Sequence, residues 1–235
     1  MKKNDYKDIL KQAKVFFKQT IAVNHLKNCE KASKLSDYNV NPFLIKYLAN
    51  FLRGDEKPRS IAEALVYPRI LGTSITTSFG NNVQKFISQV LKGFGSAVGG
   101  IDIEFIDHED GRKKYAQLKL GPNCINKDDI STIIGHFKKV RNLARTNNLN
   151  IGIDDLAIGV LYGRREELNS FYKKLNFDYP VFVGETFWYR LTGHRKFYFD
   201  LINIFGEVAV EVDGTKALKE TIDALEKEIK ISPSF

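Results

Sequence analysis

The chain has 235 residues, 43% of them hydrophobic, which is enough apolar material to bury a sizeable core and excludes disorder as the default state. Lys and Arg number 36 against 28 Asp and Glu, a formal net charge of +8 that favours polyanionic partners through counterion release. Cys29 and Cys124 match no metal-ligand or redox spacing, the start Met1 to Tyr6 has no apolar signal core, and no apolar run approaches the roughly 18 residues of a membrane span. Free thiols and a cytoplasmic location are therefore expected.

From residue 6 to about 34, Tyr6, Ile9, Leu10, Ala13, Phe16, Phe17 and Ile21 recur at a helical period with lysines opposite, which predicts a surface helix. Asn41-Pro42 breaks it and predicts a second helix through Phe51-Leu52, with Pro42 in its first turn. Gly54 to Pro58 is a loop, Ser60-Ile61-Ala62-Glu63 has capping-box spacing, and Ser78 to Asn82 leads into a helix carrying Val83, Phe86, Ile87, Val90 and Leu91. After Gly99-Gly100, residues 101–107 and 114–120 alternate as two strands around Asp110-Gly111, a hairpin signal. Asp128-Asp129 opens a long helix through Leu143, residues 156–162 form a buried strand, and residues 180–183 a short third one. Aromatic-rich helices around Phe187-Trp188-Tyr189 and Phe197 to Ile204 follow. Glu211 and Asp213 mark a turn before a last helix with Leu218, Ile222, Leu225 and Ile229. Such alternation implies an α/β fold with a mixed central sheet flanked by helices, and a helical N-terminal region. We place the boundary at residue 58: 1–58 for dimerisation or embrace of the ligand, 59–235 for the core with its C-terminal helices.

Side chains alternate along the hairpin, so Ile101, Ile103 and Phe105 share one face with Ala116, Leu118 and Leu120, while Asp102 and Glu104 share the other with Tyr115, Gln117 and Lys119. A two-residue turn at Asp110-Gly111 would set Asp102 opposite Lys119 and Glu104 opposite Gln117. Two acids, an amide oxygen and an ammonium on one face suit metal-assisted phosphodiester hydrolysis, with hard oxygen ligands for Mg²⁺ and a lysine for the developing charge. The competing reading is a solvated sheet face with a cross-strand ion pair.

The residues Gly100-Ile101-Asp102-Ile103-Glu104-Phe105 and Gln117-Leu118-Lys119 look like the split signature of the PD-(D/E)XK nuclease superfamily. The run Leu120-Gly121-Pro122-Asn123-Cys124-Ile125-Asn126-Lys127-Asp128-Asp129, with Gly184-Glu185-Thr186-Phe187-Trp188 and Leu191-Thr192-Gly193, resembles type II restriction endonucleases of the TdeIII-like group, which cut GGNCC-type sites. The resemblance spans roughly residues 60 to 212. It implies a restriction-endonuclease-like core and Mg²⁺-dependent cleavage of double-stranded DNA, with Asp102 as principal metal ligand, Gln117 and Glu104 as further ligands, and Lys119 as the water-orienting group. It also implies a homodimer on a palindrome and a cognate methyltransferase that protects host DNA. Gln117 departs from the acid usual in the superfamily, and Gln84 on the preceding helix is a candidate for a further acid's place.

Asn123, Asn126 and Lys127 stand where a loop would pass over the duplex, suited to base edges and phosphates, although Gly-Pro-Asn is also common turn chemistry. Asp128 and Asp129 are better explained as helix N-terminal charges. The four histidines, His136 among them, show no paired spacing and receive no role. Arg164, Arg165, Arg190, His194, Arg195 and Lys196 could meet phosphates or be solvated, and the aromatics at 187–199 are expected mainly in the core. Two rivals stay open: a structure-specific or repair nuclease, such as a junction resolvase, and a basic DNA-binding module without catalysis.

Overall fold

The computed structural model describes residues 3–91, 94–96 and 98–232. The polar start noted above falls partly outside them, at Met1 and Lys2. No glycine or proline interrupts the first helical run, so α1 (Lys3–Phe16) continues through a π-helical segment, Phe17–Ala22, into α2 (Val23–Lys31). Pro42 does not enter the next helix. It lies in a turn in which the Asn41 carbonyl accepts from the N–H groups of Leu44 and Ile45, and α3 (Ile45–Arg53) follows, ended by Gly54 at φ 76°. Pro58 instead opens α4 (Pro58–Tyr67). The expected capping box is absent, because the Ser60 hydroxyl donates to Asp55 and Glu63 pairs with Arg53 and Arg59. A second π-helical segment, Pro68–Ser74, joins α4 to α5 (Ile75–Val90), so Ser78 to Asn82 is already helical.

The remaining elements are β1 (Phe94–Gly95), β2 (Ile103–Ile106), β3 (Lys113–Lys119), α6 (Lys127–Thr146), β4 (Leu156–Val160), α7 (Ser170–Leu175), β5 (Val181–Val183), α8 (Glu185–Thr192), α9 (Phe197–Val212) and α10 (Thr215–Ile231). The sheet is mixed, in order β1-β2-β3-β4-β5, antiparallel through β3 and parallel thereafter. Ile133, Phe137 and Val140 of α6 and Tyr172 and Leu175 of α7 cover one face, against Leu156, Ile158, Val160, Val181 and Val183. On the other face Gly159 lets Phe187 of α8 approach to where a Cβ would stand. Phe187, Trp188 and Phe197 are buried, as their spacing predicts, whereas Tyr189 and Tyr198 are part-buried and Phe199 is half-exposed.

The hairpin parity is as expected from Ile103 to Ile106, but Ile101, before β2, packs instead in the core under α6 with Ile133 and Phe137, and the register is not the expected one. Glu104 pairs with Tyr115 and Ile103 with Ala116, two residues from the register a two-residue turn would impose. The connection is a four-residue loop, His108 to Gly111: the Asp107 N–H donates to the Arg112 carbonyl (2.9 Å) and Gly111 adopts φ 69°. Asp107 and Asp110 hold this loop by accepting from the N–H groups of Glu109 and Arg112, a local chemistry that outcompetes the tight turn. Asp107 is fully buried and ion-paired with Arg190, which also stacks over Phe182, so Arg190 has a structural role here. Buried Lys114 meets Asp110 and Asp155 beside it.

By its contacts the chain divides into two compact units. One runs up to Ala13 and from Val83 to Ile204 and holds the whole sheet; the other comprises Lys14–Asn82 and the segment from Phe205 onward. In the second unit Ile61, Ala62 and Val66 of α4 pack with Ile222, Leu225 and Ile229 of α10 and with Ile45 and Ala49 of α3. Among the described residues no helix is long and apolar enough to cross a membrane. Both cysteines are free.

Candidate active site

Asp102 enters the sheet just before β2, its N–H donating to the Ala116 carbonyl at 3.0 Å. This rung places it beside Gln117, not opposite Lys119. Its carboxylate then reaches across: Oδ2 accepts from the Leu118 N–H at 2.7 Å, midway between Gln117 and Lys119. Gln84 of α5 donates to the Asp102 backbone carbonyl at 2.6 Å and so abuts the strand entrance. Burial pushes the Asp102 carboxyl above its ordinary pKa, opposed by the Leu118 N–H and by the charges of Lys119 and His136. A carboxylate whose charge is penalised by desolvation gains most from a nearby cation.

Gln117 is buried, and its amide nitrogen donates to the Gly100 carbonyl and contacts Nδ1 of His136 on α6. With the nitrogen so engaged, the amide oxygen is the group's remaining acceptor. Gly100 is required on two counts: it adopts φ 91°, and a Cβ there would meet the His136 ring. Lys119 is partly exposed, with Nζ 3.4 Å from Asp129 Oδ1. Asp129 also accepts from the Asn126 N–H at 2.8 Å, and this bond, burial opposing it and Lys119 assisting, holds its carboxyl below the usual range.

Glu104 lies one rung further out. Its two oxygens are engaged by Ser96, at 2.7 Å, and Lys113, at 2.6 Å. Asn123, Asn126 and Lys127 are all exposed. Asn126 is the N-cap of α6, its side-chain oxygen accepting from the N–H groups of Asp128 and Asp129 at 2.8 and 3.2 Å. The loop before it is anchored by Asn169, which donates to the Ile125 carbonyl, and by the Tyr172 hydroxyl, which donates to Gly121.

No three His, Cys, Asp or Glu side chains among the described residues gather into a metal-binding cluster. The hairpin offers a hard cation the Asp102 carboxylate and the Gln117 amide oxygen. That donor set fits Mg²⁺, which keeps several waters and takes substrate phosphate oxygens besides one or two protein ligands, and it does not fit an all-protein cage.

Sequence reasoning missed His136 and the second role of Asp129. Both lie on one stripe of α6 with Ile133 and Val140, so the core-facing period of that helix already placed them toward the sheet.

The family model described as Type II restriction endonuclease EcoO109I matches residues 7–213. No curated protein matches the chain.

Proposed function

Because the chain belongs to the type II restriction endonuclease EcoO109I family, we propose that it hydrolyses double-stranded DNA site-specifically, with Mg²⁺, at a GGNCC-type palindrome as its TdeIII-like motifs suggest. The observation that carries this reading is the convergence of Asp102 on the backbone between Gln117 and Lys119, which gathers carboxylate, amide and ammonium along one strand.

Asp102 and the Gln117 amide oxygen would hold the cation, with Glu104 a candidate ligand only if it leaves Lys113 and Ser96. Bound there, Mg²⁺ supplies charge neutralisation at the scissile phosphate and acidifies water in its shell. The Lys119 ammonium orients the attacking water and stabilises charge developing on the phosphoryl oxygens; Asp129 steadies it. The water oxygen bonds to phosphorus, releasing a proton to solvent, as the P–O3′ bond breaks and the departing 3′-oxygen takes up a proton from a second water, leaving a 5′-phosphate and a 3′-hydroxyl. His136 and Gly100 keep the glutamine amide in one orientation, which matters because only its oxygen can serve a cation. Asn123, Asn126 and Lys127 would reach the duplex from the anchored loop, Lys127 at a phosphate. Cutting both strands of a palindrome calls for two sites and so a twofold homodimer, and host DNA for a protecting methyltransferase.

Digestion of a mapped plasmid with purified protein and Mg²⁺ tests this. Discrete bands at GGNCC-type positions are expected. Cleavage only at branched or damaged DNA would replace the reading by a structure-specific nuclease. Binding without cleavage would favour the second reading that the neutral Gln117 itself suggests, a DNA-binding protein that has lost catalysis.

A further inference from the structure

Helix α3 is amphipathic in an unusual sense. One stripe, Ile45 and Ala49, is buried against α4. The broader stripe is also apolar but faces water: Phe43 is 90% exposed, Phe51 81% and Tyr47 61%, with Leu44, Leu48 and Leu52 about half-exposed between them. These six fall in two rows at steps of four residues, so they form contiguous ridges along the helix and the turn before it. Taking about 200 Å² per aromatic side chain, the three rings alone leave on the order of 450 Å² of surface in water. That already matches the largest apolar patch on a typical monomer, about 300–600 Å² and often a functional surface, and the leucines carry it further. With the leucines added it nears the roughly 800 Å² that each partner gives to a standard protein interface.

The charges of α3 tell against a polyanion or a membrane as occupant. Its two cations are already paired within this unit, Lys46 with Glu56 at 3.7 Å and Arg53 with Glu63 at 2.5 Å, and Asn50 also donates to Glu56. An interfacial membrane helix would present a basic rim around its apolar stripe, and a phosphate-binding face would present free cations. What this face suits is another apolar ridge of the same spacing. An identical helix provides one, since rows at steps of four interdigitate with their own twofold copy.

We propose that α3 is the twofold interface through which two copies of this chain pair, Phe43, Tyr47 and Phe51 of each copy packing between those of the other. The choice of a second copy as occupant rests in part on the proposed cleavage of both strands of a palindrome. Pairing through α3 brings two hairpins into one assembly without using any residue of the candidate active site.

Sedimentation velocity of the DNA-free full chain, with far-UV circular dichroism, tests this. The wild type is expected at twice the monomer mass at micromolar concentration, and Phe43→Ser/Phe51→Ser at monomer mass with unchanged helicity, the dimer dissociation constant rising at least about 100-fold. Lys46→Ala, on the flank of the same helix, should stay dimeric. A monomeric wild type, whether or not it binds lipid vesicles or another protein, overturns the proposal, and so does a dimer indifferent to the double substitution. The mass is measured without DNA, so a dimer broken by the double substitution in a protein that cuts nothing would refute the nuclease reading and leave the interface standing.

Discussion

Replacing Gln117 by Glu introduces the acid that the resemblance of the hairpin to PD-(D/E)XK nucleases leads one to expect there, and the structure says what that exchange costs. The Gln117 amide nitrogen is buried and donates to the Gly100 carbonyl. A glutamate has no such donor, so a carboxylate oxygen would face a carbonyl oxygen, and a second charge would join Asp102, whose own charge burial already disfavours. Losing a buried donor costs about 1–3 kcal/mol. Taking about 2 kcal/mol, the metal-free variant should melt roughly 4–8 °C lower than the wild type. Mg²⁺ should reverse the order of effects: the added charge binds the cation, so the variant gains more in melting temperature on Mg²⁺ addition and reaches half-maximal cleavage at lower Mg²⁺. Its maximal rate need not rise, because the Lys119 environment is untouched. The assays are thermal melts in chelator and in Mg²⁺, and a Mg²⁺ titration of cleavage rate. An unchanged titration midpoint together with an unchanged metal-free melting temperature would show that position 117 neither meets the cation nor donates to Gly100.

Asp102 has a raised pKa, so the folded state binds its proton more tightly than the unfolded chain, and its contribution to stability is lost as pH rises from the ordinary carboxylate range through the raised value. Asp102→Asn should therefore melt a few degrees higher than the wild type in chelator at neutral pH, gain nothing from Mg²⁺ and cut no DNA; a lower melting temperature would refute the assigned desolvation. Lys119→Ala is expected to lower cleavage at least about 1000-fold while DNA affinity stays within about tenfold, because the ammonium acts mainly on the transition state; retained cleavage removes it from the mechanism. Asn126→Ala removes the α6 cap, at about 1 kcal/mol or roughly 2–4 °C, and should also weaken cognate duplex more than scrambled duplex if the residue reads a base. Equal losses on both duplexes would leave the cap as its whole role. Lys127→Ala should weaken both duplexes alike and lower the salt slope by about one, and an unchanged slope would place the residue off the phosphates.

Alternation along residues 103–106 and 114–119 was enough to place Glu104, Gln117 and Lys119 on one face of a hairpin, because parity is a local property of the extended chain, whereas Asp102 reaches them through its bonds to Ala116 and Leu118. The same locality made the α6 start, the buried β4 strand and the core aromatics of α8 readable from residue periods. Register lay beyond that reach. Asp107 and Asp110 turned an expected two-residue turn into a four-residue loop, and the buried Asp107–Arg190 pair ties that loop to a helix more than eighty positions away. Only tertiary structure could bring His136 onto the Gln117 amide and Asp129 onto Lys119, since each contact joins a helix face to a strand face and depends on how α6 lies on the sheet. Packing likewise put α10 with α4 and α3, at opposite ends of the sequence, in one compact unit: an amphipathic period states that a helix has an apolar face but not which other face will cover it.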